Sequence, residues 1–536
     1  MQEINFGIND IVFSAPSLAI TAEELVKAFA YREKGKEGLE NAEALKNDTE
    51  KMKYGLGINQ IRIPGYSESN ASFVADALYL FAKEIMKDPE RMKKLDTEPI
   101  RSIYYSSESN PDRSRPEIEA ALLLASAKLI EDGTEEGRKF VRLLRQARLI
   151  PITFACAGGG LALLEAVTNV KSFYDVNISS SALVITADTS VYDNSKAPNA
   201  EFTQGSGSFV MWITKDPKIA KISYERGIGS FHIPLADFTK FGDEIPVVHG
   251  KFSERVYVYA VAKALEEMEN SKGINDVSFF VTHVPFPKQA IYFASFLFAH
   301  QLRKTNHALL EEIEKREGVG KEPLGNHHKL TELIDKKLEE FNKSTPILPE
   351  SKIIDYIEND PEINAYWDWL KKLRSQKEFD DFINALNIKN ALILPSNIGN
   401  SYSSSAFAAF TSMLLNSEES KLLGKAGVLA FYGSGAIASI IPVTIASSQG
   451  IKSHIYIDDK SPIYIDSKQY IQLHEDLVRG EVSRTVTHSN LLEKDLKFLG
   501  MENLAKGFHI VRRNNDGTGE YAYSDGNSIS ELVIRY

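Results

Sequence analysis

Four apolar runs of strand length, each leading to one chemically useful residue, constrain this chain more than any other feature. Ile103-Tyr104-Tyr105-Ser106-Ser107 leads to Glu108, and Leu149 to Phe154 leads to Cys156. Val277 to Thr282 leads to His283, and Asn390-Ala391-Leu392-Ile393-Leu394-Pro395 leads through Ser396-Asn397-Ile398-Gly399 to Asn400. A fifth run, Ala182 to Thr189, carries Asp188 near its end. Helical patterns follow at Ile118–Ile130, Leu161–Val167 and Ser403–Leu415, and another covers Glu254–Met268, so the second half repeats the plan of the first. Buried strands alternating with helices predict an α/β architecture, in which chemistry gathers at strand ends and the loops after them.

Cys156 is the only cysteine and stands in Phe154-Ala155-Cys156-Ala157-Gly158-Gly159-Gly160, between a strand and a helix. A thiol near a helix N-terminus meets free N–H groups and the positive end of the dipole, which favour the thiolate. A lone cysteine is more often a small buried hydrophobe. The glycines suggest close approach of the backbone to a ligand.

The 536 residues suffice for two or more domain-sized units around a large core. A net charge of −11 with no dense basic run gives no support to nucleic-acid binding. One cysteine excludes an intrachain disulfide, and no zinc-ligand spacing occurs; the adjacent His327 and His328 would point apart on a helix. No signal-peptide pattern opens the sequence. Ala426 to Ile451 lacks charge and is long enough to span a bilayer, but Gly433-Ser434-Gly435 and Pro442 interrupt it, so two buried strands joined by a glycine loop are expected.

Elsewhere, Thr21 and Asn70 read as helix N-caps, Arg32–Lys53 as a solvated helical excursion, and Ile61–Pro64 as loop. Residues 301–378 are rich in Lys and Glu at helical spacing and read as an inserted helical module. Asn514–Gly519 marks the turn of a late hairpin.

Seven motifs in order carry a family likeness: SSESNP (106–111), FACAGGG (154–160), ITADTSVY (185–192), EFTQGSGSF (201–209), HVPFPK (283–288), SNIGNSYSSS (396–405) and YGSG (432–435). Together they resemble the 3-hydroxy-3-methylglutaryl-CoA synthases of the thiolase superfamily, with compact loops like the archaeal branch. The resemblance implies a thiolase-like, five-layered αβαβα sandwich of two pseudo-symmetric halves, usually a homodimer. The halves would comprise residues 1–215, and 216–300 with 379–536, around the 301–378 insertion. It also implies a cytoplasmic condensing enzyme of the mevalonate route that joins acetyl-CoA to acetoacetyl-CoA through an acetyl-cysteine, with no cofactor, metal or membrane. Acetoacetyl-CoA thiolase and a small OB-fold protein are implied as possible partners, and the charged insertion suggests itself as a docking module.

By the same resemblance, Cys156 is the nucleophile, Glu108 the general base and acid, and His283 the group that polarises the acceptor ketone. Backbone N–H groups of Cys156 and Ser434, beside Gly433, would stabilise oxyanions, and Asn400 would support the acetoacetyl site. Tyr192, Asp188, Thr203 and Ser405 match polar residues lining the site, and Lys288 matches a contact to coenzyme A phosphates. The chain departs from the family pattern where SFHIP (230–234) replaces an aspartate–phenylalanine pair with a following arginine, where His249 stands in a common VDG, and where FTQ replaces PTQ. Two rival readings are an initiation-type β-ketoacyl synthase, which uses Cys, His and Asn without the glutamate, and an inactive scaffold paralogue.

Overall fold

The computed structural model describes residues 4–111, 115–189, 191–193, 197, 200–235, 237–239, 246–271, 277–317, 330–344, 350–458, 460–479, 490–502, 504–514 and 519–532. Nine strands and six helices frame the site. The strands are β1 (Phe6–Ser14), β2 (Ile100–Ser106), β3 (Arg148–Ile152), β4 (Ser181–Thr189), β5 (Ser206–Lys215), β6 (Ala220–Ile222), β7 (Phe280–Thr282), β8 (Ala426–Gly433) and β9 (Ile437–Ile445). The helices are α1 (Asn70–Lys87), α2 (Ile118–Glu131), α3 (Gly158–Asp175), α4 (Gly250–Ser271), α5 (Pro287–Thr305) and α6 (Ser405–Asn416).

The strands form one mixed sheet in the order β7-β8-β9-β6-β1-β5-β4-β2-β3, with Ile455–Ile457 added beside β1 and Gly229–His232 beside β9. The short strand β6 pairs with both β1 and β9 and so joins the sheets of the two halves. Because successive strand residues point to opposite faces, each strand feeds two cores. On β4, Leu183 and Ile185 pack outward with α1 and α2, whereas Val184 faces an inner core with α3 and α6. On β8, Leu429 and Phe431 reach that same inner core, whereas Val428 and Ala430 pack outward with α4 and α5. Five layers result: helices, sheet, shared central helices, sheet, helices. Strands buried on both faces have no place for charge, which explains the uncharged runs.

β2, β3 and β4 run parallel, so their carboxyl ends share one edge and carry Glu108, Cys156 and Tyr192 just beyond it. β7 and β8 also run parallel, and His283 and Ser434 follow their ends. The β8–β9 pair is the expected buried hairpin, and among the described residues no helix is long and apolar enough to cross a membrane.

Several expectations need correction. Residues 390–395 are not a strand: helical turns at Ile388–Ala391 and Pro395–Ile398 flank a short connection. Ser412 Oγ accepts from Leu394 N (3.0 Å) and donates to Asn390 O (2.6 Å), doing what a strand neighbour would have done. A short apolar run cannot be assigned by periodicity alone. Gln60–Ile63 is a strand, paired with Leu18–Thr21, not loop. Ser69, not Asn70, is the N-cap of α1, and its backbone N–H donates to Ser72 Oγ at 2.8 Å.

Between residues 301 and 378, helices His307–Arg316, Leu330–Ser344, Glu350–Glu358 and Pro361–Leu373 are present, and His327 and His328 lie outside the described residues. Leu310, Ile334, Tyr366 and Trp369 belong to the same core as α4 and α5, so these helices are integrated with the body. The C-terminal segment, including the antiparallel pair Gly507–Arg513 and Gly519–Ser524, packs through Tyr470, Phe508 and Tyr521 on the outer core of α1.

Candidate active site

Cys156 reaches its place through a strained turn. Ala155, just before it, has φ 41°, a left-handed conformation that costs a non-glycine residue about 1–2 kcal/mol. The turn carries Cys156 between the end of β3 and the start of α3. The three glycines that follow serve packing, which corrects the expectation that they admit a ligand. A Cβ on Gly158 would meet Ser106 Oγ at 2.2 Å, one on Gly159 would meet Ser403 O at 2.2 Å, and one on Gly160 would meet the Phe431 ring at 2.3 Å. They let α3 sit flush on both halves.

The thiol donates to Glu108 Oε2 at 3.0 Å. Both line a cavity of about 210 Å³ together with Tyr192, Thr203, His283, Asn400 and Ser434. His283 is buried, and burial pulls its pKa from the usual 6.5 to about 3, so the ring is neutral. Among the described residues its Nδ1 has no hydrogen-bond partner. The backbone around it is held instead: Tyr257 Oη and Thr282 Oγ1 each donate to His283 O at 2.7 Å. Tyr432 stacks on the imidazole with ring centroids 6.4 Å apart. Asn400 N donates to Thr203 O at 2.8 Å, tying two loops of the cavity wall together, and its Oδ1 accepts from Tyr402 N at 2.8 Å.

Other predicted residues stand behind the cavity. Asp188 is fully buried and does not line it; one oxygen accepts from Glu108 N and the hydroxyls of Ser107 and Ser109, the other from Ser403 N. Ser405 Oγ accepts from Val284 N at 2.6 Å and so fixes the segment after His283. Gly433 brings the YGSG loop against the Cys156 turn: a Cβ there would lie 2.7 Å from both Ala157 N and Phe154 O. Lys288 does not line the cavity; it lies in the first turn of α5, between Pro287 and the cavity-lining Gln289.

Sequence reasoning missed the second wall. On α4, Gly250, Ser253, Glu254 and Tyr257 line the cavity at positions i, i+3, i+4 and i+7 of one helical face. Phe238 lines it too, and its neighbour Asp237 accepts from Gly435 N (2.9 Å), Tyr432 Oη (2.8 Å) and Ser253 Oγ (2.7 Å). The aspartate–phenylalanine pair missing from SFHIP is therefore present a few residues later, bracing the loop that holds Ser434. Burial raises the pKa of the Asp237 carboxyl. Among the described residues no cluster of ligands suited to a metal ion occurs.

A thiol beside a carboxylate, a neutral imidazole and backbone loops at the same strand edge can form an acyl-enzyme, move a proton at a neighbouring carbon and polarise a carbonyl. Comparison with known proteins agrees. A family model described as the C-terminal part of hydroxymethylglutaryl-coenzyme A synthase matches residues 370–473. Hydroxymethylglutaryl-CoA synthase of Haloferax volcanii is 29% identical over 398 residues, covering 73% of this chain and 76% of that protein. The Saccharomyces cerevisiae protein of the same name is 25% identical over 479 residues, covering 84% and 82%. Among solved structures, an HMG-CoA synthase complexed with CoA covers 98% of this chain and all of its own at TM-score 0.59 and 18% identity. The HMG synthase of the curacin biosynthetic pathway, in complex with an acetyl donor carrier protein, covers 97% at TM-score 0.63 and 12% identity. At those identities the structures establish the fold alone, and it is thiolase-like.

Proposed function

The chain is a relative of the hydroxymethylglutaryl-CoA synthases, and from that kinship and the geometry at Cys156 we propose that it condenses acetyl-CoA, acetoacetyl-CoA and water to 3-hydroxy-3-methylglutaryl-CoA and coenzyme A. The observation that carries the reading is the 3.0 Å contact between Cys156 Sγ and Glu108 Oε2 in one cavity with a neutral His283.

The Cys156 thiolate attacks the acetyl thioester carbonyl, a tetrahedral oxyanion forms, and coenzyme A leaves as its thiol. Backbone N–H groups of Cys156 and Ser434 are the donors we assign to that oxyanion. Glu108 takes a proton from the acetyl methyl, and the resulting enolate carbon bonds to the ketone carbon of acetoacetyl-CoA. A neutral imidazole can donate its N–H to the ketone oxygen without carrying charge into a buried site, and the proton that completes the tertiary alcohol returns from Glu108. Water then cleaves the Cys156 thioester, which supplies the free carboxylate and restores the thiol. Asn400, Tyr192 and Thr203 shape the acyl site, Asp188 and Ser405 position its parts, and Lys288 is assigned to a coenzyme A phosphate by resemblance. The substrates bring the only coenzyme required. Homodimerisation, a cytoplasmic setting and association with a thiolase and a small OB-fold protein belong to this reading on the resemblance alone.

The glutamate separates this reading from an initiation-type β-ketoacyl synthase, which has no use for a carboxylate against the thiol. Intact-protein mass after mixing with acetyl-CoA tests it. A single acetyl adduct on wild type and none on Cys156→Ala is expected, and added acetoacetyl-CoA should then release coenzyme A and a six-carbon hydroxydicarboxyl thioester. Absence of the adduct on wild type would return weight to a scaffold role.

A further inference from the structure

The helix that forms the second wall of the cavity is gripped at its start by the helices inserted between residues 301 and 378. The first N–H groups of a helix and its last carbonyls have no partner within it. The start of α4 meets the end of the helix Glu350–Glu358, and each supplies what the other lacks. The Glu358 carboxylate accepts from Phe252 N, in the first turn of α4, at 2.9 Å. In return Lys251 Nζ donates to Glu358 O at 2.9 Å, and the Arg255 guanidinium donates to Ile357 O and to Asn364 Oδ1 of the next inserted helix. A carboxylate at a helix N-terminus and cations at a helix C-terminus are both favoured by the helix dipoles. Arg255 is 2% exposed, and a buried charge is kept only where hydrogen-bond partners meet it, so these bonds hold α4 at one position along its axis.

That position governs two groups assigned to the chemistry. Next to Phe252, Ser253 Oγ donates to Asp237 at 2.7 Å, and Asp237 accepts from Gly435 N at 2.9 Å in the loop that carries Ser434. Two residues after Arg255, Tyr257 Oη donates to His283 O at 2.7 Å, and its ring packs on Tyr432 with centroids 4.9 Å apart. Within two turns of α4, then, Phe252 and Arg255 bond to the inserted helices while Ser253 and Tyr257 bond toward the Ser434 loop and His283. A slip of α4 by one residue is a rise of about 1.5 Å, enough to break both of the latter bonds. Misplacement of reacting groups by about 1 Å can cost about a hundredfold in rate.

Resting on the condensation reading, we propose that the inserted helices are a built-in brace of the active site, and that Glu358 is a positioning residue which acts through α4 on His283 and on the Ser434 loop. Glu358 does not line the cavity and takes no part at the reacting carbon.

Hydrogen–deuterium exchange reads the brace without any substrate. In Glu358→Ala, exchange should quicken by about fivefold or more over 250–257 and also over 283–286 and 432–437, while β2 stays as in wild type. Quickening confined to 250–257 would overturn the proposal, because the brace would then end at α4. Kinetics read the consequence. Condensation turnover in Glu358→Ala should fall about tenfold or more, with half-saturation for both thioesters within about twofold. Glu358→Gln, which keeps an acceptor for Phe252 N, should keep about half of the turnover or more. Arg316→Ala, which breaks a pair with Glu378 at the far side of the same helices from these bonds, should match wild type. Unchanged turnover in Glu358→Ala with a lowered melting temperature would assign the contact to stability alone and overturn the proposal, as would equal losses in Glu358→Ala and Glu358→Gln. Wild type that forms no condensation product would sink the condensation reading itself, a distinct result that leaves the exchange pattern to decide the brace.

Discussion

Asp188 Oδ1 accepts the backbone N–H of Glu108 at 2.8 Å, at the carboxyl edge where β2 and β4 run side by side. Its other oxygen accepts Ser403 N at 2.9 Å, so one buried carboxylate joins the loop of the base to the segment preceding α6 in the other half. Every one of these partners is a donor, which only an acceptor on both oxygens can satisfy. Asp188→Asn presents an NH₂ group to one of them. Loss of about 2–4 kcal/mol of stability is expected from a buried, mismatched network. Condensation should slow at least tenfold with half-saturation little changed, because Glu108 is displaced rather than the binding wall. Denaturant melts and steady-state kinetics on the purified variant check both.

The contact between Cys156 and Glu108 divides the reaction. Glu108→Gln keeps shape and polarity at the thiol but removes the base. The acetyl adduct should still form, whereas condensation should fall by about 10²–10⁴, the usual span for one general base. Rapid-mix mass spectrometry for the adduct, beside a product assay, separates the steps. Equal loss in both would assign Glu108 to thiol activation instead.

His283 sets a pH signature. Its pKa of about 3 in the fold lies below the 6.5 of a free imidazole, so the fold favours the neutral ring. Stability from this source is complete above about 6.5 and is lost as pH falls toward 3, since the unfolded chain then binds a proton that the fold resists. Activity should show no imidazole titration between pH 5.5 and 8, and melting temperature should decline as pH drops below about 6 in wild type. The decline should be shallower in His283→Asn, a comparison made by calorimetry across pH.

The sequence and the structure agree where residue type and position are coupled, and part where the site is assembled from distant pieces. Cys156, Glu108 and His283 were legible because each follows an apolar run, and strand ends are where polar groups can surface. The five layers were carried by resemblance. Periodicity identified buried strands but not that Val184 and Leu429 share one central core. Asp188 was legible as polar yet misplaced as lining, since nothing in ITADTSVY distinguishes facing a cavity from facing six backbone and hydroxyl donors. The second wall escaped because Glu254 and Tyr257 read as ordinary members of an amphipathic helix. Asp237 escaped because two of its partners, Tyr432 and Gly435, stand 195 and 198 residues away. The run at 390–395 misled because Ser412, a side chain, takes the backbone bonds of a missing strand neighbour.

Gly433 offers the sharpest geometric test of how the halves meet. A methyl group there would press on Ala157 N and Phe154 O, both at 2.7 Å, and on Ala157 Cβ at 2.8 Å. Two of these atoms are backbone of the turn that presents Cys156, so neither can step aside without moving the nucleophile. Overpacking of this kind costs about 1–3 kcal/mol. Gly433→Ala should therefore lower the melting temperature by several degrees and slow acetylation of Cys156 more than it weakens acetyl-CoA binding, because the turn and the Ser434 loop are pushed apart. Gly35 serves as the control: no atom lies within 4 Å of its hypothetical Cβ, so Gly35→Ala carries only the strain of φ 58°. If both variants melt lower by a similar amount yet acetylate at the wild-type rate, the Gly433 contact is a matter of stability and the loop does not govern the nucleophile.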